Sequence, residues 1–299
     1  MIDPVAHPHL KEKNASRINH LLTVESESIF NAFGAHIQLF EAGPRILSTE
    51  DEDVSAAMVE AFRRAGIVVH EKFGTIESFE KTSNGVRMFF TRDGRLESAD
   101  AAVVILAVGW VTDAAGLALG NAGVETDPRG YVQVDAHLRT SSPHIFAAGD
   151  ITGRLMLVPE AIQDGFVAAT NAVLGLKTTR GDQAGPIGSF TDPEYAQVGM
   201  TEAKAREKGE IVVAKISFDL TTRTIIDGRT TGFCKLIVDR KTRQVLGCHI
   251  VGERAVEIAE LVSIVIAARM QVHDLSRVPY HFPPTQGSLD VSLPPPHGS

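Results

Sequence analysis

Along the first third of the chain, longer stretches of mixed polar and apolar residues alternate with short apolar runs. This pattern predicts helices that alternate with strands. The stretch 24–34 is amphipathic and ends in glycine, as helices commonly do. A short apolar run at 35–43 predicts a buried strand. The stretch 48–66 starts with Ser, Thr and acidic residues, which favour a helix N-terminus, and a strand is predicted at 67–73. Alternating helices and strands favour a parallel sheet with crossover helices.

The pattern changes after residue 75, where short apolar runs are separated by tight-turn sequences. Asn84-Gly85 and Asp93-Gly94 predict the turns of an antiparallel meander. The run 101–109 is apolar on both faces and predicts a central strand that is covered on both sides.

The second half begins with a long connection that contains one short predicted strand, at 131–135. A buried strand is predicted at 144–148 and a helix at 159–175. The polar, glycine-rich stretch 177–189 is interpreted as a domain linker.

The last third of the chain again predicts both helices and strands. A short helix is predicted at 202–210, a strand at 211–219 and two strands within 232–252. The helix 253–269 is apolar on almost every face, so at least one face should be buried in an interface.

Composition narrows the class of protein. A chain of 299 residues favours two or three domains, and 43% hydrophobic with 22% charged residues is typical of globular proteins. The net charge of −8 gives no general attraction to nucleic acid or to an anionic membrane. The longest apolar run, 101–111, is shorter than the roughly 20 residues of a membrane helix. Two cysteines and no secretory pattern at the start predict a cytoplasmic protein.

The best candidate for chemistry is the Gly149-Asp150 pair at the end of the predicted strand 144–148. Ligands of open α/β sheets bind at the carboxyl ends of the strands, where an aspartate can accept a hydrogen bond from a sugar or ribityl hydroxyl. Glycine allows a cofactor to approach the backbone closely. The alternative is an ordinary turn at the end of a strand, and the sequence alone does not decide between the two.

A second candidate is Glu41, the acid at the end of the predicted strand 35–43. In dinucleotide-binding folds such an acid holds the adenosine ribose and follows a glycine-rich turn by about 20 residues. Residues 18–23 contain no glycine, which argues against NAD(P)H binding there. The alternative is an ordinary surface acid.

Other constellations predict structure rather than chemistry. Cys234 and Cys248 flank a turn, and we interpret them as core thiols. The eleven histidines show no ligand spacing, so no metal site is predicted. No Gly-x-Ser-x-Gly motif is present.

Five segments in order resemble one family. They are SIFNAFGAHIQLFEAGPRIL (28–47), ILAVGW (105–110), HLRTSSPHIFAAGDITG (137–153), FTDPEYAQVGMTEAKAREKG (190–209) and GFCKLIVDRKTRQVLGCHIVG (232–252). Because of these segments, the chain resembles the flavin-dependent pyridine nucleotide-disulfide oxidoreductases from about residue 16 to about residue 290. Members of that family include dihydrolipoyl dehydrogenase, glutathione reductase, mercuric reductase and soluble transhydrogenase.

The resemblance implies an α/β chain in three parts. Residues 1–108 correspond to a degenerate NAD-binding-like domain, 109–180 to the C-terminal part of the FAD-binding domain, and 181–299 to an interface (dimerisation) domain. The expected fold is therefore a truncated doubly wound dinucleotide-binding domain with a partial FAD domain, followed by an α+β interface domain. Full-length members begin with a glycine-rich FAD finger and a redox Cys-x4-Cys pair. This sequence contains neither and resembles the C-terminal two-thirds of such an enzyme.

The resemblance also assigns roles to single residues. Cofactor contacts are implied for Gly149 and Asp150 (FAD ribityl and pyrophosphate), for Met156, Leu157 and Val158 (along the flavin), for Gly109 (the turn between domains) and for Glu41 (the NAD ribose). Glu25 corresponds to a glutamate that pairs with a flavin-side lysine. Thr23 and His20 stand where the NAD finger has glycines.

The C-terminal segment departs from the family pattern His-Pro-Thr-x-x-Glu, because Pro283 occupies the histidine position and proline has no proton to transfer. His281 lies two residues earlier. His281 and Glu25 are therefore the two candidate catalytic side chains.

The resemblance implies an FAD/NAD(P)-dependent oxidoreductase with a weak or partial FAD site, either impaired or in need of a complementing FAD-domain chain. It also implies a homodimer formed through 181–299. Two alternatives stay open: a non-catalytic dimeric module derived from the family, and a remnant with a different activity, such as hydrolysis.

Overall fold

The computed structural model describes residues 17–109, 112–181 and 185–279, and the side chains of the first helix from Val24 onward. By its internal contacts the chain forms two compact units. Of the described residues, the first unit contains 20–106 and 186–279, and the second contains those of 107–185.

The N-terminal part of the first unit has the helices and strands that its pattern predicts. The elements are α1 (Arg17–Ala32), β1 (Gln38–Glu41), α2 (Glu52–Arg64) and β2 (Val68–Glu71). Strands β1 and β2 are parallel, with Gln38 opposite Val68. The side chain of Asp51 caps α2 by accepting a hydrogen bond from the amide of Asp53. Helix α2 connects the two parallel strands, which is the expected α/β arrangement. In the described residues the parallel sheet consists of β1 and β2.

The predicted antiparallel meander is confirmed. Its strands are β3 (Thr75–Thr82), β4 (Gly85–Arg92) and β5 (Arg95–Ala101), in the order β3-β4-β5. Aromatic rings form its core, where Phe90 packs edge-on against Phe40 and Phe73.

The last part of the first unit is a five-stranded antiparallel sheet with its helices. Its elements are β6 (Ile187–Ser189), β7 (Tyr195–Gly199), α4 (Glu202–Lys208), β8 (Ile211–Ser217), α5 (Thr222–Asp227), β9 (Phe233–Asp239), β10 (Val245–Val251), α6 (Ala255–Ala267) and α7 (Val272–Ser276). The strands lie in the order β6-β7-β10-β9-β8. Helix α6 buries Ile258, Val262 and Val265 in an apolar core that also contains Leu236 and Ile250 of the sheet. The sheet face under α6 therefore supplies the largest core of this unit.

Three strand predictions are wrong, and two of them concern apolar runs. Strand β5 ends at Ala101, and 102–108 form no strand, with Val103 74% and Val108 52% exposed. The predicted strand 144–148 is also absent, apart from an isolated bridge between Arg139 and Phe146. Both runs have the composition of a central strand, but no described strand lies beside them. Strand composition alone does not form a strand, because the ladder of hydrogen bonds needs a neighbour.

The second unit contains α3 (Val158–Leu174), which confirms the helix predicted at 159–175. The predicted strand 131–135 is reduced to an isolated bridge between Thr126 and Val132. Turns and short 3-10 helices make up much of the rest.

The other face of the five-stranded sheet carries a buried cation. Lysine 235 of β9 is 3% exposed, and its Nζ lies 2.8 Å from Asp51 Oδ1, 2.8 Å from Asp53 Oδ2 and 2.6 Å from Glu202 Oε2. Burial alone would lower the pKa of Lys235, but the three carboxylates outweigh it and raise that pKa. The carboxylate of Asp51 also accepts the amide of Glu202 at 2.9 Å. One lysine thus joins the starts of α2 and α4 to the sheet.

Replacing Lys235 with methionine should destabilise the protein by about 3–5 kcal/mol, because the buried carboxylate of Asp51 would lose its cation. Asp53 and Glu202 would keep Lys215 at 3.0 Å and Arg206 at 2.6 Å, respectively. Urea unfolding of Lys235→Met measures the change in the free energy of unfolding. Lys241→Met, at an exposed lysine in the β9–β10 turn, is the matched control and should change stability little. Equal stability of the two variants would contradict the role of Lys235 as the cation that stabilises these carboxylates.

Helix α1 contains a buried glutamate that makes the stability of the protein depend on pH. The side chain of Glu27 is 8% exposed, no described group hydrogen-bonds its Oε2, and burial raises its pKa from 4.5 to about 9. The folded protein therefore holds a proton there that the unfolded chain releases above pH 4.5, so this residue lowers stability as the pH rises toward 9.

Glu27→Gln should remove this loss, which amounts to at most about 1.4 kcal/mol per pH unit. We expect the variant to be more stable than the wild type at pH 8 and nearly equal to it at pH 5, as measured by urea unfolding. Glu207→Gln, at an exposed glutamate, is the control. A difference that shrinks with rising pH would contradict the role given to Glu27.

Candidate functional site

The Gly149-Asp150 pair lies in a tight turn that only glycine can build. Gly149 is buried at φ 75°, and residues Gly149–Thr152 form one turn of 3-10 helix. Gly153 ends that turn at φ 64°, and a Cβ at this position would lie 2.5 Å from the ring of Tyr131. Tight packing on Tyr131 therefore fixes the loop that presents Asp150.

Asp150 presents its carboxylate to solvent. Its side chain is exposed, and among the described residues no hydrogen bond reaches the carboxylate, while its backbone oxygen accepts the amide of Gly153 at 3.0 Å. Burial raises the pKa of Tyr131, and the negative charge of Asp150 acts in the same direction. A carboxylate in this position can accept hydrogen bonds from a ligand.

The other predicted residues of the flavin region belong to the same unit. Met156 and Leu157 are half-buried, and Val158 at the start of α3 is 73% exposed. Gly109 is exposed at φ 141°. The second unit thus contains every residue to which the resemblance assigns a flavin contact.

The remaining predicted residues lie in the first unit or outside the described residues. Glu41 ends β1, is half-buried, and accepts the amide of Gly43 at 2.5 Å through Oε1. Glu25 accepts hydrogen bonds from Ser189 Oγ at 3.3 Å and from the amide of Phe190 at 3.2 Å. His281 lies outside the described residues.

Residues 18–23, where the resemblance places the NAD finger, are part of helix α1. The amides of residues 21–23 are used within the helix, whereas those of the first turn, 17–20, have no partner in the helix itself.

An ion-pair cluster on the inner face of α3 was not predicted. Arg180 donates from Nε to Asp164 at 2.8 Å and also pairs with Glu160, while the second Glu160 oxygen accepts the amide of Gly185 at 3.0 Å. These contacts hold part of the stretch interpreted as a linker against α3. The spacing of Glu160 and Asp164, four residues apart in a predicted helix, was the available signal.

The two cysteines are free and buried in the core under α6. Their Sγ atoms are 3.8 Å apart. The contact with Cys234 and burial both raise the pKa of the Cys248 thiol. Raised pKa and burial both lower thiol reactivity, which agrees with a structural role.

In the described part of the chain, no group of three or more His, Cys, Asp or Glu side chains is arranged to hold a metal ion. No helix within it is long and apolar enough to cross a membrane.

Two family models match most of the chain. The model of pyridine nucleotide-disulphide oxidoreductases matches residues 21–165, and the model of the dimerisation domain of the same proteins matches residues 186–291.

Similar curated proteins include a mercuric reductase from Bacillus cereus, 31% identical over 253 residues, which are 84% of this chain and 40% of that protein. A dihydrolipoyl dehydrogenase from Mycobacterium tuberculosis is 34% identical over 236 residues, 78% of this chain and 50% of that protein. The chain thus spans about half the length of the curated relatives it matches.

Among solved structures, the HOCl-induced flavoprotein disulfide reductase RclA from Escherichia coli is similar, with a TM-score of 0.82 and 27% identity. The match covers 91% of this chain and 62% of RclA. A second structure, LpdA from Mycobacterium tuberculosis, shares the fold with a TM-score of 0.81.

The two buried cysteines should be reduced, and their thiols should react slowly with added reagents in the native protein. We expect a disulfide-exchange reagent such as DTNB to titrate two thiols in denaturant without added reductant, and to react with the native protein at least 100-fold more slowly. Fewer than two thiols in denaturant would show that a disulfide forms, contrary to the structure.

Proposed function

Because the chain belongs to the pyridine nucleotide-disulphide oxidoreductase family, we propose that it forms one wall of the FAD site of a flavin-dependent, NAD(P)-linked oxidoreductase. In this proposal the second unit contacts the flavin nucleotide, and the five-stranded sheet with α6 belongs to the dimerisation domain. The complete activity needs the rest of the flavin site.

The observation that carries the proposal is the exposed carboxylate of Asp150, fixed by a glycine turn and free of hydrogen bonds from the described residues. Bound FAD would supply the ring that accepts and releases electrons. Asp150 would accept a hydrogen bond from a hydroxyl of its ribityl chain, and Gly149 would let the nucleotide approach the backbone. Met156 and Leu157 would contribute apolar contact beside the ring.

The affinity of this wall for FAD should be low. A complete flavin site surrounds the cofactor, and each hydrogen bond that is missing costs about 1 kcal/mol. Since the chain covers 40–50% of the curated relatives described above, several contacts are expected to come from another polypeptide segment. A complementing FAD-domain chain is one source of that segment.

NAD(P)H binding should be weak as well. The amide of Gly43 already donates to Glu41 Oε1, and residues 18–23 are helical rather than a glycine-rich turn. Glu25 is bonded to Ser189 and Phe190, so a lysine partner would have to share its carboxylate.

A second candidate is a non-catalytic dimeric module, and one observation favours it. The five-stranded sheet and α6 form a core of their own, which does not require the flavin region. Both candidates predict a homodimer through residues 181–299, and the two reduced cysteines support a cytoplasmic location for either.

The proposal is tested by measuring how tightly the purified chain binds FAD. We expect weak binding that falls about tenfold in Asp150→Asn, which corresponds to about 1.4 kcal/mol, as measured by quenching of flavin fluorescence. Asp113→Asn, at an exposed aspartate of the same unit, is the control and should bind like the wild type. No binding by the wild type, or equal affinity in Asp150→Asn, would contradict the proposal and favour the dimeric module.

Sedimentation velocity tests the dimer. The wild-type chain should sediment as a dimer at micromolar concentration, because the family model of the dimerisation domain covers residues 186–291. A monomer throughout the concentration range would contradict this prediction for both candidates.

A further inference from the structure

A histidine joins the parallel strands β1 and β2 to the antiparallel meander. His70 of β2 stacks on Phe40 of β1, with ring centroids 4.4 Å apart and 18° between the ring planes. Its Nε2 lies 3.3 Å from Gln38 Oε1, and its Nδ1 lies 3.2 Å from Arg92 Nη2 in β4. These four residues, Gln38, Phe40, His70 and Arg92, form the His70 cluster, which connects three strands.

The partners of His70 determine where its proton lies. A guanidinium group has only hydrogen-bond donors, so His70 Nδ1 accepts from Arg92 and carries no proton. Nε2 then carries the single proton of a neutral imidazole and donates it to Gln38 Oε1. A protonated histidine donates from both ring nitrogens, so a second proton would remove the acceptor that Arg92 uses.

The charges around His70 also oppose a second proton. Arg92 faces the imidazole from β4, and Glu97 of β5 lies 3.4 Å from Arg92 Nη1. Strand β1 contributes the uncharged side chains of Gln38 and Phe40. Burial and then the charge of Arg92 lower the pKa of His70, and Glu97 offsets part of this effect.

Arg92 has no second link to the parallel strands among the described residues. Its ion pair with Glu97 and its position 5.4 Å from the centre of the Phe90 ring are contacts within the meander. Its Nε is buried without a hydrogen-bond partner in the described part of the chain. When His70 stops accepting, the polar connection between β4 and β2 is therefore lost, while the aromatic contact of Phe40 with Phe90 remains.

We propose that the His70 cluster is a pH-sensitive contact, which holds the meander against β1 and β2 while His70 is neutral and loosens it when His70 is protonated. The closed form binds fewer protons than the open form. The contact therefore weakens as the pH falls from 6.5, the ordinary pKa of histidine, toward the lowered pKa of His70. All of these residues belong to the first unit, so the inference does not depend on the proposed flavin contacts.

Hydrogen exchange of the full chain between pH 8 and pH 5.5, corrected for the intrinsic pH dependence of amide exchange, tests the proposal. In this range Glu97 stays largely ionised. We expect local opening of β2 and β4 to increase as the pH falls, by up to about tenfold for each unit by which the closed form lowers the pKa of His70. An NMR titration of His70 in the wild type and in Arg92→Met measures that difference, and the wild type should have the lower pKa.

Two variants separate the proton from the contact. His70→Asn keeps an acceptor near the position of Nδ1 and takes up no proton, so its opening should not depend on pH. Arg92→Met lacks the contact and should show the faster exchange at every pH. The matched controls are His36→Asn, at an exposed histidine, and Arg87→Met, whose ion pair with Asp100 lies within the meander. Both controls should behave like the wild type.

Unchanged exchange in the five-stranded sheet shows that each variant is folded. Opening of β4 that does not increase in the wild type between pH 8 and pH 5.5 overturns the proposal, and so does an equal increase in His70→Asn. If a variant does not fold, the titration of the wild type decides. A pKa of His70 at or above 6.5 would then show that the contact with Arg92 does not compete with the proton.

Discussion

Each compact unit is organised around one cation whose side chain is 10% exposed or less and that pairs with more than one carboxylate. A charge can leave water only when it is paired, so the position of the cation dictates how the elements around it pack. Lys235 fixes the starts of α2 and α4 against the five-stranded sheet. Arg180 fixes the rotation of α3 in the second unit.

The second of these clusters determines what the chain presents to a ligand. With Asp164 turned inward, the apolar side of α3 faces solvent, and the turn at Gly149 presents the Asp150 carboxylate. An acceptor beside an apolar surface suits a cofactor that has a polar chain and a flat, apolar ring. The family to which the chain belongs uses such a cofactor, and the residues to which the resemblance assigns flavin contacts lie in this unit.

Local patterns predicted most of the helices and the antiparallel strands, because helix caps, tight turns and periodicity are properties of neighbouring residues. The meander turns at Asn84-Gly85 and Asp93-Gly94 are examples. The failures at 102–108 and 144–148 have one cause, since strand composition forms a strand only beside another strand. The parallel sheet in the described residues offers two strands, and neither run pairs with them.

The candidate site was predictable only in part. Gly149-Asp150 stands out in the sequence as a strand-end motif, whereas the bond between Lys235 and Asp51 joins residues 184 positions apart and leaves no local signal. The partners of Glu25 are similarly remote, at Ser189 and Phe190. The exposure of Ile162 and Phe166 on α3 was also not predictable, because a periodic apolar pattern shows that a helix face is apolar but not whether the chain covers it.

Photolabelling with an azido derivative of FAD, followed by peptide mapping, tests the central claim most directly, since it locates the nucleotide on the chain itself. The account predicts label on the peptides that contain 149–158, with competition by unmodified FAD. Competed label confined to the first unit, around 18–41, would contradict it.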